Sequence, residues 1–243
     1  MIVGMCGRFV LDRKASDLVT LFDVDIIGDA LPDPSWNIAP TTRIPIVIDT
    51  IPRVGDEVEP VRRLVAARWG FVAGSAQDIS GAPLINARSE TVAEKATFRD
   101  ALATRRALIP ASGYYEWMIR DGVKTPHYVS APDEELLLFA GLYEWWRNPA
   151  VAADDPGRWV LSTTILTQAA TGGLATIHDR MPVFLESDLA GEWLDPHTNG
   201  DADLVDLIVD NAEEVASRMQ FHEVNAAVGS VHNNGPALVN PSR

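Results

Sequence analysis

The sequence predicts an α+β fold with a mainly antiparallel, barrel-like β core and peripheral helices. Three observations lead there. Strand-like and helix-like segments are mixed without the regular alternation of a doubly wound sheet. Asp121-Gly122, a dipeptide suited to the positive φ of a tight hairpin turn, joins two runs of strand character. No Ser/Gly-rich linker divides the 243 residues, and seven Trp and sixteen Pro are spread along the length, so one domain spanning 1–243 is expected.

The elements follow in order. Leu18, Val19, Leu21 and Phe22 recur at helical spacing behind Ser16, which predicts a short helix capped by that serine. Asp23 to Pro34, rich in Asp, Gly and Pro, reads as loop, and Trp36 to Pro40 as extended chain. Arg43 to Thr50 and Leu64 to Val72 read as strands. Thr91 with Glu94 forms a capping-box pattern ahead of a helix to about Arg105. Tyr114 to Arg120 and Lys124 to Ser130 make the Asp-Gly hairpin, and Leu136 to Trp146 and Trp159 to Leu166 two further strands. Ser187 to Leu194 and Asp201 to Met219 read as helices, the second with Leu204, Leu207, Ile208 and Val215 on one face. Phe221 to Val228 is expected to return to the sheet. Gly113-Tyr114-Tyr115-Glu116-Trp117 and Gly141-Leu142-Tyr143-Glu144-Trp145 share the pattern G-x-Y-E-W, and spacing alone does not choose between Glu116 and Glu144.

Composition narrows the function. The longest apolar run, Leu136 to Trp146, contains Glu144 and is far short of the roughly 20 residues a bilayer span requires. No secretory leader is recognisable, so a cytoplasmic location without membrane association is expected. A single cysteine, Cys6, excludes an internal disulfide and a cysteine-based zinc site; no metal or cofactor is expected. The net charge of −14 argues against a general nucleic-acid coat protein. Positive charge is nonetheless concentrated at Arg8, Arg88, Arg99, Arg105, Arg106 and Arg180, while the acids cluster elsewhere, as in Asp201 to Glu214.

Cys6 follows a second methionine, Met5, and cysteine is small enough to permit removal of an initiator methionine. A start at Met5 gives a mature terminus Cys-Gly-Arg-Phe, which makes residues 1–5 a leader or a misplaced start. An α-amine of pKa about 7.7 to 8.0 then stands beside a thiol of about 8.5, two nucleophiles usable near neutral pH. An aldehyde meeting them forms an imine, which the thiol closes to a five-membered thiazolidine. Position alone leaves a buried structural cysteine open as the alternative.

Six segments in order resemble the SOS-response-associated peptidase (SRAP) family of abasic-site processing proteins. They are Met5 to Phe9, Trp36 to Thr41, Arg68 to Phe71, Asn86 to Thr91, Pro110 to Trp117 and His178 to Pro182. Val228 to Pro236 also fits, with His232 where the family usually has arginine. The resemblance implies a monomer whose partner is single-stranded DNA containing abasic sites, with self-removal of the leader and lyase-like chemistry. It implies that Cys6 is the crosslinking nucleophile, that Asn86 orients the terminus and sugar, and that Glu116 and His178 handle protons. Arg8, Arg88 and Arg180 would hold phosphates flanking the lesion, and Trp69 and Phe71 would stand beside the missing base or stack on a neighbour. Read without the family, Glu116 is a solvated strand residue, His178 part of a loop ion pair, Asn86 a turn residue and Trp69 a core residue.

Three other functions remain. Met-Cys-Gly also begins amidohydrolases with an N-terminal nucleophile, although nothing downstream supplies a glutamine site. Cys6, His178 and Asn86 could form a cysteine-peptidase triad. A DNA-binding module that does not react is the non-enzymatic reading.

Overall fold

The computed structural model describes residues 7–52 and 59–242; Cys6, and with it the expected leader, lies outside the described residues. The chain runs β1 (Phe9–Leu11), α1 (Ala15–Leu21), β2 (Ile26–Ile27), β3 (Ser35–Ile38), β4 (Arg43–Thr50), β5 (Val61–Trp69) and β6 (Asn86–Arg88). It continues through α2 (Ser89–Val92), α3 (Ala96–Thr104), β7 (Arg106–Ala111), β8 (Gly113–Arg120), β9 (Val123–Ser130), β10 (Leu137–Arg147) and β11 (Trp159–Ala169). It ends with β12 (Arg180–Pro182), α4 (Ser187–Leu194), α5 (Ala202–Ser217) and β13 (Gln220–Glu223). This is the expected α+β architecture.

Five strands close into a barrel in the order β5, β4, β7, β10, β11. The neighbours are antiparallel except at the seam, where β11 meets β5 in parallel through Ser162 opposite Arg68 and Thr163 opposite Trp69. Closure removes the unpaired edges that an open sheet would present. β4 is buried along both faces from Ile44 to Asp49, as its nearly continuous apolar run requires. A second sheet, ordered β13-β9-β8-β1-β3, packs on the barrel. The two-residue period of β1 and β8 divides their side chains. Phe9 and Tyr114 face the barrel, with ring centroids 5.1 Å from Trp69 and 6.1 Å from Phe139 respectively. Val10 and Tyr115 face a smaller core with Tyr128, Val224, Val228 and Leu238.

The repeated G-x-Y-E-W has a packing cause. A Cβ at Gly113 would overlap the Tyr128 hydroxyl, and one at Gly141 would stand 2.7 Å from the Ile109 side chain and 2.9 Å from the Thr164 carbonyl. Both glycines let a neighbouring strand approach closely, in β8 and β10 respectively.

Several boundaries differ from expectation. Helix α1 starts behind Lys14, whose amide donates to Asp17 Oδ2 at 3.2 Å, so Ser16 lies inside it. The capping box at Thr91 does not form: among the described residues that hydroxyl is buried without a hydrogen-bond partner, while the Thr91 carbonyl accepts from the amides of Glu94 and Lys95 and ends a one-turn helix. The expected single helix is therefore two, α2 and α3. β5 ends at Trp69 because Gly70 takes φ +135°. The expected loop contains β2, paired in parallel with β5, and the last strand stops at Glu223. On α5, Leu204, Ile208 and Val215 are buried as expected, but Leu207 is exposed.

Arg106–Ala111, to which the sequence pattern assigns no element, is β7 at the barrel's centre. It begins with a buried arginine. Arg106 donates to the carbonyls of Trp193, Leu102, Ala103, Asp195 and Thr198 at 2.5–2.8 Å, tying α3 and the end of α4 to the barrel. Arg106→Met should remove all five donors. With about 1–3 kcal/mol for each buried carbonyl left unsatisfied, and some relieved by water, a loss of about 3 kcal/mol or more is expected. A urea melt read by circular dichroism checks it; an unchanged midpoint would mean the carbonyls find other donors.

Candidate functional site

An open cleft of ≈ 390 Å³ lies between the two sheets, lined by Gly7, Arg8, Pro40, Pro83, Ile85, Trp117, Lys124 and Gly229. Strand β1 delivers the first two of these, since the Arg8 carbonyl accepts from Tyr115 N at 2.9 Å and Phe9 stands opposite Tyr114. Arg8 is half-buried. Its Nη1 donates to Asn37 Oδ1 at 2.7 Å and to the Val228 carbonyl at 2.9 Å, and burial pulls its pKa below the ordinary arginine value. Asn37 is the hub here: its Nδ2 also donates to the carbonyls of Ser230 and Asn233, fixing the 228–233 turn beside Arg8. Tyr115 donates its hydroxyl to the Trp36 carbonyl at 2.9 Å, and burial pushes its phenol pKa up.

Glu116 is buried on β8, opposite His127 of β9. Its strand neighbour Trp117 faces the cleft, where Lys124 Nζ lies 5.4 Å from the indole centroid. Trp117 pairs with Pro126, so Lys124 is its diagonal partner across the Asp-Gly hairpin. Glu144, the alternative from the repeated pattern, is instead salt-bridged to Arg105 at 2.9 Å on β10; Trp117, next to Glu116, lines the cleft, while Glu116 itself is not among its lining residues.

The C-terminal part of β11 gathers the other candidates. β6 pairs with it at Ile165–Thr167, placing Asn86 opposite Ile165 and Arg88 opposite Thr167. β12 pairs with it at Thr167–Ala169, placing Arg180 opposite Ala169. Ile85, next to Asn86, lines the cleft, and Arg88 is exposed. His178 is not a lining residue of the cleft; it precedes β12, where its Nδ1 accepts from Arg180 N at 3.0 Å and lies 2.9 Å from Asp179 Oδ1.

Three assignments need correction or qualification. Trp69 has no exposed surface: its indole Nε1 donates to the Ile85 carbonyl at 3.0 Å and its ring packs edge-on against Phe9. It positions the residue before Asn86 from within the core and cannot stack on a base. Phe71 is also core, 5.4 Å from Phe98, with its amide bonded to the Leu84 carbonyl. Arg180 is paired with both oxygens of Glu90 and donates to the Thr167 carbonyl at 2.6 Å. A hydrogen bond from that guanidinium holds the Glu90 carboxyl below the usual carboxylate range, so the pair persists near neutral pH and dissolves only as pH falls through that lowered value. The sequence reading missed Asn37 and Lys124. The first sits in Trp36 to Thr41, a segment already singled out, and the second follows from hairpin register.

The family model for SOS response associated peptidase (SRAP) matches residues 5–231. The chain belongs to the SRAP family. Among relatives of this SRAP chain, abasic site processing protein YoqW of Bacillus subtilis (strain 168) is 35% identical over 97% of this chain and 99% of that protein. Abasic site processing protein YedK of Escherichia coli (strain K12) is 30% identical, covering 98% of this chain and all of that protein. A crystal structure of a Bacteroides thetaiotaomicron protein shares the fold, with TM-score 0.75 over 98% of this chain and 100% of that one, at 20% identity. No helix among the described residues of this SRAP chain is long and apolar enough to cross a membrane.

Proposed function

We propose that this SRAP chain recognises abasic sites in single-stranded DNA and links to them covalently through Cys6 when that residue is N-terminal. The observation that carries this reading is the position of Gly7. It lines the cleft beside Arg8, and Cys6 is one peptide bond, about 3.8 Å between Cα atoms, from it. The relatives' names supply the substrate class, and the family match begins one residue before Cys6.

The chemistry balances simply. The Cys6 α-amine adds to C1′ of the opened deoxyribose, the carbinolamine loses one water to give an imine, and the thiol adds across the C=N bond to close a thiazolidine. Opening the sugar requires a proton at its ring oxygen, and loss of water requires another at the departing hydroxyl. Glu116, buried on β8, and His178 are the groups assigned to these transfers, and Asn86 is assigned to orient the amine. Self-removal of the residues before Cys6 is the one peptide cleavage included in the proposal.

Intact mass after mixing with an abasic oligonucleotide tests the reading. The expected gain is the oligonucleotide's mass less one water. An acyl adduct with a glutamine analogue, or cleavage of a supplied peptide, would support an amidohydrolase or a peptidase instead. Binding without mass gain would leave a non-covalent module.

Salt dependence checks the phosphate contacts. With the Cys6→Ala chain and a short abasic strand, Arg8 and Arg88 should give a log–log slope of about −1.4, at about −0.7 per contact. Glu90→Gln should release Arg180 and steepen the slope to about −2.1. Equal slopes in the two proteins would remove Arg180 from the interface.

A further inference from the structure

Where the barrel closes, a depression of ≈ 340 Å³ is lined by Arg43, Arg68, Trp145, Trp159 and short side chains including Thr41, with no Asp or Glu among them. Trp145 is 46% exposed and Trp159 53%. Trp145 stands opposite Leu161 and Trp159 opposite Arg147, so the two indoles are diagonal neighbours on one face of the β10–β11 hairpin. Arg43 and Arg68 stand directly opposite each other on β4 and β5. Neither makes an ion pair among the described residues. Arg43 Nη2 reaches the Ala66 carbonyl at 3.4 Å, and Arg68 Nη1 donates to the Gly70 carbonyl at 2.8 Å. On a chain of net charge −14, this places two opposed guanidinium groups, with no ion-pair partner among the described residues, beside two exposed indoles.

The depression adjoins the cleft along the chain. Pro40 lines the cleft and Thr41, the next residue, lines the depression. Gly70 makes the second connection: a Cβ there would stand 2.6 Å from Arg68 Nη1 and 3.0 Å from Pro83, so the Arg68 guanidinium and Pro83 of the cleft wall both crowd Gly70.

We infer that this depression is a second subsite for the same DNA strand, where an unpaired base stacks on Trp145 and Trp159 and its phosphate meets Arg43 and Arg68. The inference rests on the proposed function for the identity of the strand. Its own warrant is the chemistry: an indole offers a face to any base, a guanidinium pairs with phosphate, and together they bind single strands with little sequence preference. The subsite lengthens the footprint past the lesion and is absent from the contacts of a short strand.

The test uses the Cys6→Ala chain and fluorescence anisotropy with abasic strands carrying about two or about eight nucleotides on each side, and with undamaged oligothymidylate. The long strand should bind more tightly than the short one. Trp145→Ala with Trp159→Ala should weaken the long strand about tenfold or more and leave the short one unchanged. Arg43→Gln should make the long strand's salt slope shallower by about 0.7. In the Cys6-containing chain the same substitutions should leave the extent of crosslinking to the short strand intact. Long-strand affinity indifferent to the tryptophans would overturn the subsite even if crosslinking proceeds. If no abasic strand ever crosslinks, the proposed function fails separately, and oligothymidylate decides the subsite. Loss of its binding on removing both tryptophans upholds the subsite, and equal binding overturns it.

Discussion

Cys6→Ala should abolish the denaturant-resistant complex with abasic single-stranded DNA while non-covalent affinity stays within about twofold. The expected loss is complete because alanine has no thiol to close the ring, and an imine from the amine alone hydrolyses. The groups assigned to hold DNA, Arg8 just before β1 and Arg88 at the end of β6, are held by backbone pairing and do not depend on the sulfur. Cys6→Ser separates the two nucleophiles further. Its hydroxyl closes a five-membered ring less favourably than a thiol, so the product should be an imine that survives denaturation only after borohydride reduction. Gel electrophoresis with and without borohydride reads both variants. A covalent band that persists in Cys6→Ala without reduction would end the assignment of Cys6 as the linking residue.

Residues 1–5, where present, should switch the chemistry off. With Met5 attached, the Cys6 nitrogen belongs to a peptide bond, and its lone pair is delocalised into the carbonyl. It then cannot attack an aldehyde. The thiol alone gives only a hemithioacetal, which reverses in water. Three preparations of verified mass make the comparison: residues 1–243, a chain beginning at Cys6, and that chain with its α-amine acetylated. Only the second should crosslink, with the other two lower by at least about two orders of magnitude in initial rate. Equal reaction by all three would refute the amine mechanism and require a chemistry of the thiol alone. A full-length sample that gains activity on standing, with the matching loss of mass, would identify self-removal of the leader.

The tertiary structure separates features with local causes from features with distant ones. The Asp121-Gly122 hairpin needs only its own turn geometry, and it appears as expected between β8 and β9. Helix α5 needs only its apolar stripe and the Asp201 cap, whose side chain accepts from Leu204 N at 3.1 Å. The family, too, is legible in ordered short motifs. The single cysteine and the α+β class follow from composition and from the mixture of periods.

Trp69 shows where that reasoning stops. Alternation along β5 states that Trp69 and Ala67 share a face, but it carries no sign saying which face meets solvent. Closure of the barrel by the parallel contact of β11 with β5 turns that face inward and makes the indole a strut beneath Ile85. Arg180 and Glu90 are 90 residues apart, so no local pattern couples them; the common partner strand β11 does. β7 escaped notice because its first residue is an arginine, satisfied by two carbonyls of the preceding α3 and by those of Trp193, Asp195 and Thr198 far along the chain. By itself, then, the sequence determined most of the local elements, the fold class and the family, and offered Cys6 as the single thiol for the proposed chemistry, all of which depend on covalent structure or on neighbours within a few residues. Only the tertiary structure decided which aromatic and cationic side chains remain available to a ligand, because exposure and pairing depend on strand contacts between residues far apart in the chain.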